Sequence, residues 1–220
     1  MAGETRREVL LKADLLGRVE RVHSSGEDHV LRRTDAAVWW LRPLARRLAA
    51  REARALRALD GLDGVPALLA WDGRALQRGW LEGRPLQVAG VTDPAFHAAA
   101  RRLLGRMHRR RVTHNDLAKE PNLLVRDDGR PALVDFQLAR VHRRRGRWFR
   151  TCAHEDLRHL LKHKRTYCPQ ALTPREQRIL ARPAWPSRVW RRTGKPLYLL
   201  VTRGLLGWRD REGAGDRGAA

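Results

Sequence analysis

Lysine is nearly missing from this 220-residue chain: Lys12, Lys119, Lys162, Lys164 and Lys195 are the only five among 46 basic residues, and the other 41 are arginine. Between Lys12 and Lys119 there is none, so any early strand or helix that needs a cation must use arginine. Cysteine is scarce too. Cys152 and Cys168 make no disulfide framework, and a reducing cytoplasm is the expected compartment. No run of 18 apolar residues occurs, and Met1-Ala2-Gly3-Glu4-Thr5-Arg6-Arg7 leads into no apolar core, so neither a membrane span nor an obvious secretion signal is expected. Acidic residues number 24, which leaves a net charge of +22. Two causes compete for that charge: a genuine anionic partner, and the arginine-, alanine-, glycine- and leucine-rich composition that a GC-rich genome writes. No recognition motif and no cluster of aromatics on a sheet is evident, so a nucleic-acid-binding module is set aside. Metal and nucleotide motifs of other classes are absent as well. Glu155 and its histidines miss H-E-x-x-H spacing, Cys152, His159, His163 and Cys168 have no standard zinc spacing, and Gly194-Lys195-Pro196 is no P-loop. The length suits one domain or two small lobes, and no internal repeat appears.

What is present centres on His114-Asn115-Asp116-Leu117-Ala118-Lys119-Glu120-Pro121-Asn122, followed by two apolar runs and Asp135-Phe136-Gln137. Leu123-Leu124-Val125 and Ala132-Leu133-Val134 flank Asp127-Asp128-Gly129, which signals a two-strand hairpin. Such a hairpin brings Asn122, at its start, back beside Asp135, at its end. A carboxylate that orients a hydroxyl, together with oxygen ligands for magnesium on nucleotide phosphates, is most of what phosphoryl transfer asks of a protein. Asp116 can be the first; Asn122 and Asp135 can be the ligands.

This segment resembles the core of protein-kinase-like phosphotransferases, with their H-R-D-x-x-x-x-N and D-F-G patterns. The atypical bacterial branch is nearer, namely RIO-type kinases and lipopolysaccharide-core sugar kinases. Two departures stand out. Asp116 to Asn122 is one residue longer than the family spacing, so the loop must bulge, and Gln137 replaces the glycine after Asp-Phe. The resemblance implies an α+β, two-lobed protein-kinase-like fold, with a small β-rich N-lobe over residues 1–83 and a mainly helical C-lobe over 84–208. A polar tail, 209–220, follows.

Around the turn Ser24-Ser25-Gly26-Glu27-Asp28, the glycines do not form G-x-G-x-x-G, and only the resemblance gives this region a nucleotide-covering role. On the strand His29-Val30-Leu31-Arg32-Arg33, either Arg32 or Arg33 stands where the family has its lysine. Residues 44–59 read as a helix with Leu44, Leu48, Ala55, Leu56 and Leu59 near one face. Its single acid, Glu52, is either the family's partner for the strand cation or a surface i,i+4 partner for arginine. Asp72-Gly73 signals a second hairpin, and Glu82-Gly83-Arg84-Pro85 resembles the adenine-contacting hinge, with Glu82 as a nucleotide-binding candidate. Asp93-Pro94 opens a helix whose buried stripe is Phe96, Ala100, Leu103 and Met107. Another helix covers residues 155–163, with Asp156 bracing the loop. Arg143, Arg144, Arg145, Arg147 and Arg150 form either a solvated face or a cradle for an anionic acceptor. Trp185, Trp190 and Trp208 lie in a basic C-terminal part that suits a packed final helix or an interfacial one.

The expected activity is ATP- and Mg²⁺-dependent phosphoryl transfer to a protein Ser/Thr hydroxyl or to an envelope sugar or lipid. Asp116 and His114 are the expected catalytic pair, with His114 as a buttress. Arg32 or Arg33, with Glu52, steadies the phosphates. The expected location is cytoplasmic, with peripheral contact at the inner membrane face. The competing expectation is a pseudokinase that binds nucleotide or a partner without turnover.

Overall fold

Three sequence-adjacent strands, β1 (Arg7–Asp14), β2 (Gly17–Ser24) and β3 (Glu27–Arg33), form an antiparallel meander. A helix, α1 (Arg42–Ala58), then crosses to a hairpin of β4 (Leu68–Trp71) and β5 (Ala75–Gly79). The complete sheet has the order β1-β2-β3-β5-β4. The computed structural model describes residues 7–24 and 27–182. Ser25 and Gly26, in the first expected turn, lie outside the described residues. So do all positions from Pro183 on, including Trp185, Trp190, Trp208 and the polar tail.

Tight backbone approaches shape this sheet. Gly17 turns β1 into β2 at φ +120°, and a Cβ there would sit 2.2 Å from the Arg33 carbonyl oxygen, so no side chain fits. The strand β1 was not marked by any alternation. Val9-Leu10-Leu11 stays exposed on this edge, where charged neighbours and a bulge between Leu10 and Lys12 blunt pairing with another chain.

Of the stripe expected on α1, Ala55, Leu56 and Leu59 are buried, whereas Leu44 is exposed and Leu48 only partly covered; Ala45, Ala49, Glu52 and Ala53 make up the rest of the inward face. The physical reason is closeness. Alanines bring the helix backbone down onto Leu76, Leu68 and Trp71 of the sheet, and that places Glu52 inside.

The second half is mostly helical with small sheets. After β6 (Arg84–Pro85) and the single turn α2 (Leu86–Ala89) comes α3 (Pro94–Arg109). Asp93 caps α3 by accepting from the Ala95 amide at 2.8 Å, and Phe96, Ala100, Leu103 and Met107 are buried as expected. Next come β7 (Val112–Thr113), the expected hairpin of β8 (Leu123–Val125) and β9 (Pro131–Leu133), and β10 (Arg140–Val141). Strand β6 pairs with β8, and β10 with β7. The helix α4 (Arg147–Tyr167) starts eight residues earlier than expected, and α5 (Pro174–Ala181) begins with a Thr173/Glu176 capping box. At this level the protein is α+β, a small antiparallel sheet with several helices, compatible with two lobes. Among the described residues no helix is long and apolar enough to cross a membrane.

One core joins the halves: Leu56 and Leu59 pack with Leu103, Leu104, Met107, Leu123, Leu133, Phe136 and Leu160. Leu56→Ala is expected to cost about 2–5 kcal/mol of stability, since it empties a fully buried site. Leu44→Ala should be nearly neutral. Denaturant titration of the two variants checks which face of α1 is packed.

Candidate active site

The loop after β7 is held from beneath by one buried carboxylate. Asp156, in the middle of α4, accepts the backbone N–H groups of His114 and Asn115, each at 2.8 Å, and lies 3.1 Å from His108 Nε2. Thus the expected bracing by Asp156 is present. Asn115 takes φ +65°, a conformation asparagine tolerates better than most residues, and its Nδ2 donates to the Leu138 carbonyl at 2.9 Å. Below, His163 Nε2 donates to the Leu117 carbonyl at 2.7 Å, and Tyr167 hydroxyl bonds Glu120. His163 is therefore spent on the loop.

His114 is fully buried. Its Nε2–H donates to the Val134 carbonyl at 3.0 Å, and its ring lies 4.7 Å from that of Phe136. It buttresses the residue just before Asp135.

Asp116 and Asn122 meet. Asn122 Nδ2 donates to the Asp116 backbone carbonyl at 2.9 Å and to Asp116 Oδ2 at 3.2 Å. Bonds from Lys119 N–H to Asp116 O and from Asn122 N–H to Lys119 O form successive tight turns, which take up the additional loop residue. Asp135 arrives through the hairpin register. Leu123 pairs with Leu133, and the Val134 amide donates to the Asn122 carbonyl at 3.1 Å. Asp135 follows at φ +63°, and Gln137 Nε2 donates to its Oδ1 at 2.7 Å. Gln137 therefore orients the Asp135 carboxylate.

The cations come from the sheet. Period-two alternation and the β3–β5 register put Arg32 and Arg78 on one face, the face that α1 covers. There Arg32 Nε lies 3.7 Å and Arg78 Nε 3.2 Å from the Glu52 carboxylate, which is sealed from water. Neither contact is aligned as a hydrogen bond. Arg33 points elsewhere, to Glu20 at 3.2 Å and Glu8 at 3.9 Å. Of the two expected strand cations, Arg32 is the one at the site. Glu82 sits largely exposed between β5 and β6, paired with Arg21, which also bonds Asp28 and lies 4.2 Å over the Trp80 ring.

The two carboxyls are displaced in opposite directions. Burial pushes Asp116 above the ordinary aspartate value, and neighbouring Asp135 adds to this, against the pull of Lys119 at 3.3 Å. Burial opposes ionisation of Asp135 as well. There Arg32, His114, Gln137 and Arg78 together outweigh burial and hold it below the ordinary value. For Arg78, burial lowers the pKa, and Glu52 counteracts.

Sequence reasoning missed Arg78 and Lys119. The first is an arginine two residues from apolar Leu76 on the same strand face, legible only once the register is known. The second had a signal: it is the lone lysine between Lys12 and Lys162, and it falls inside the loop. Arg143, Arg144 and Arg145 lie exposed between β10 and α4. Among the described residues no three His, Cys, Asp or Glu side chains cluster as a metal site. No protein-family model and no curated protein matches this sequence.

Opposite pKa displacements give opposite pH effects on stability. Asp135 adds stability above the ordinary aspartate range, and this is lost as pH falls through its depressed folded value. Asp116, raised in the folded state, costs stability at neutral pH, and the cost vanishes below its ordinary value. Asp116→Asn should therefore raise the thermal midpoint at neutral pH, with the gain closing in acid, and Asp135→Asn should lower it. Thermal scans of both variants across acid to neutral pH check the signs.

Proposed function

We propose that this protein is an ATP-dependent phosphotransferase of the protein-kinase-like type, two-lobed, with the nucleotide between the lobes. The acceptor is a hydroxyl of a protein Ser/Thr or of an envelope sugar or lipid. The observation that carries the reading is the Asp116–Asn122 contact, with Asp135 following directly on the strand partner of Asn122.

Asp135 and Asn122 fit magnesium. Hard divalent cations take oxygen ligands, and magnesium on a nucleotide needs only one or two carboxylates beside phosphates and water. Asp135, held ionised, supplies a carboxylate, and Asn122 an amide oxygen. When bound, the metal neutralises phosphate charge.

The chain's own residues do the rest. Asp116 accepts the acceptor's O–H and aligns it with the γ-phosphorus. An O–P bond forms as the bond to the β,γ-bridging oxygen breaks, ADP leaves, and the hydroxyl proton passes to Asp116. Its raised proton affinity suits that role. Lys119, 3.3 Å from the same carboxylate, puts a positive charge where negative charge gathers on the transferred group. Arg32 and Arg78 stand in for the family lysine. A guanidinium has several N–H groups, so each can face Glu52 and still present donors to phosphate oxygens. His114 and Asp156 act on the loop and not on the substrate. The exposed arginines 143–145 suit an anionic acceptor or an acidic protein segment.

A pseudokinase remains the second reading, favoured by one observation: both cations replacing lysine are already engaged by Glu52. Turnover decides between them. Labelled ATP incubated with the protein and a membrane extract should yield label in protein, sugar or lipid. Asp135→Ala should abolish that transfer and keep cooperative unfolding, whereas nucleotide binding without transfer in the wild type would leave the pseudokinase.

The cation assignment has its own test. Arg32→Ala should lower kcat/KM by about 100-fold or more, the scale of losing a charged transition-state contact. Arg33→Ala, at a position directed to Glu20, should change it little. Equal effects at both would sink the assignment.

A further inference from the structure

Away from the candidate site, the oddest feature of the surface is a pair of adjacent, mostly exposed tryptophans. Trp39 is 77% exposed and Trp40 57%, in a short 3₁₀ turn leading into α1. Leu44, in the first turn of α1, is 46% exposed. The Val38 amide donates to the Leu15 carbonyl at 3.2 Å, which brings the β1–β2 turn alongside, and Leu15 is itself 41% exposed. Four large exposed apolar side chains thus come from two segments tied together by a backbone hydrogen bond.

Its surroundings are basic. Residues 36–51 hold four arginines and no acid. Arg42 and Arg47 are exposed, and Arg47 follows Leu44 by three residues on the same side of α1. Arg42 donates to the Ala37 carbonyl at 3.1 Å, and Arg47 has no carboxylate partner among the described residues. The flanking acids are already engaged: Asp14 with Lys12 and the Leu16 amide, Asp35 with the Ala36 amide, and Glu52 with Arg32 and Arg78.

We propose that this face docks the protein on an anionic lipid bilayer. Tryptophan places an apolar ring in the headgroup region and keeps its N–H wet, leucine gains from the acyl boundary, and arginine lays its stem along apolar surface with its charge at anionic headgroups. Each basic side chain near such a surface adds attraction. Charge selects this occupant over the alternatives. A second copy carries +22, and residues 183–220 carry eight basic against three acidic side chains, so both meet the arginines with like charge. Single-stranded nucleic acid stacks on tryptophan too, but it offers nothing to Leu15 and Leu44. The proposal does not depend on the phosphotransferase reading.

The experiment uses the full chain and phosphatidylcholine vesicles with and without phosphatidylglycerol. Wild-type protein should co-sediment with the anionic vesicles and far less with the neutral ones, and acyl-brominated lipid should quench its tryptophan fluorescence. Trp39→Ser/Trp40→Ser should weaken anionic-vesicle binding by roughly tenfold or more and reduce the quenching. Its thermal midpoint should be unchanged, because both rings are exposed. Arg47→Gln, which keeps the tryptophans, should weaken anionic binding and its salt dependence. Undiminished vesicle binding in the tryptophan variant would overturn the proposal. So would binding of single-stranded DNA, lost in that variant, with no binding of vesicles.

Discussion

A single carboxylate without water, Glu52, sets the terms for the rest of the structure. Its burial is tolerated only because Arg32 and Arg78 reach it from the sheet, and removing either partner from such a pair costs about 3–5 kcal/mol. Both guanidiniums, together with His114 and Gln137, also favour the ionised form of Asp135, so Glu52 and Asp135 lean on the same pair of cations. Geometry follows from that shared pair. Alanines at 45, 49 and 53 are needed for α1 to approach the sheet closely enough, and α1 in turn rests on the turn Phe136–Leu138, where Arg51 donates to the Leu138 carbonyl at 3.0 Å. Helix, sheet and carboxylate turn are thereby fixed to one another through charge and not through apolar contact alone.

The second constraint lies under the loop. Asp156 satisfies two backbone donors that point into protein, and a buried amide without an acceptor costs about 1–3 kcal/mol. With His114 and Asn115 pinned, the left-handed turn at Asn115 directs Asp116 toward Asn122 instead of outward. Two aspartates in neighbouring positions then have opposite acid strengths, one crowded by burial and by its neighbour, the other relieved by cations. Divergence of that kind is how a site assigns different tasks to chemically identical groups.

How much of this could be read from the residues follows from whether a signal was local. The hairpin at Asp127-Asp128-Gly129, the cap at Asp93 and the stripe Phe96, Ala100, Leu103, Met107 are written in neighbouring positions, and all were legible. So were Asp116, Asn122 and Asp135 as a group, because one short hairpin links them. The face of α1 was legible at its end, in Ala55, Leu56 and Leu59, and not at its start, where leucines draw the eye and alanines decide how near a helix can lie. Arg78 was invisible for a different reason: its role comes from the register of β5 on β3, and strand register is a tertiary fact. Strand β1 carries no alternation because its side chains stay mostly exposed.

The hinge segment has a mechanical consequence. The Trp80 amide is tied to the Asp28 carbonyl in one sheet, and Arg84 is paired with Val125 in the other. Gly83 lies so close to the Val125 carbonyl oxygen that a Cβ there would sit 2.8 Å from it. Only Leu81, Glu82 and Gly83 span the interval, a strap too short to let the halves slide. On the far side the core around Leu56 and Leu59 is shared by both halves. Between that core and the strap, the two sheets are held at a fixed spacing.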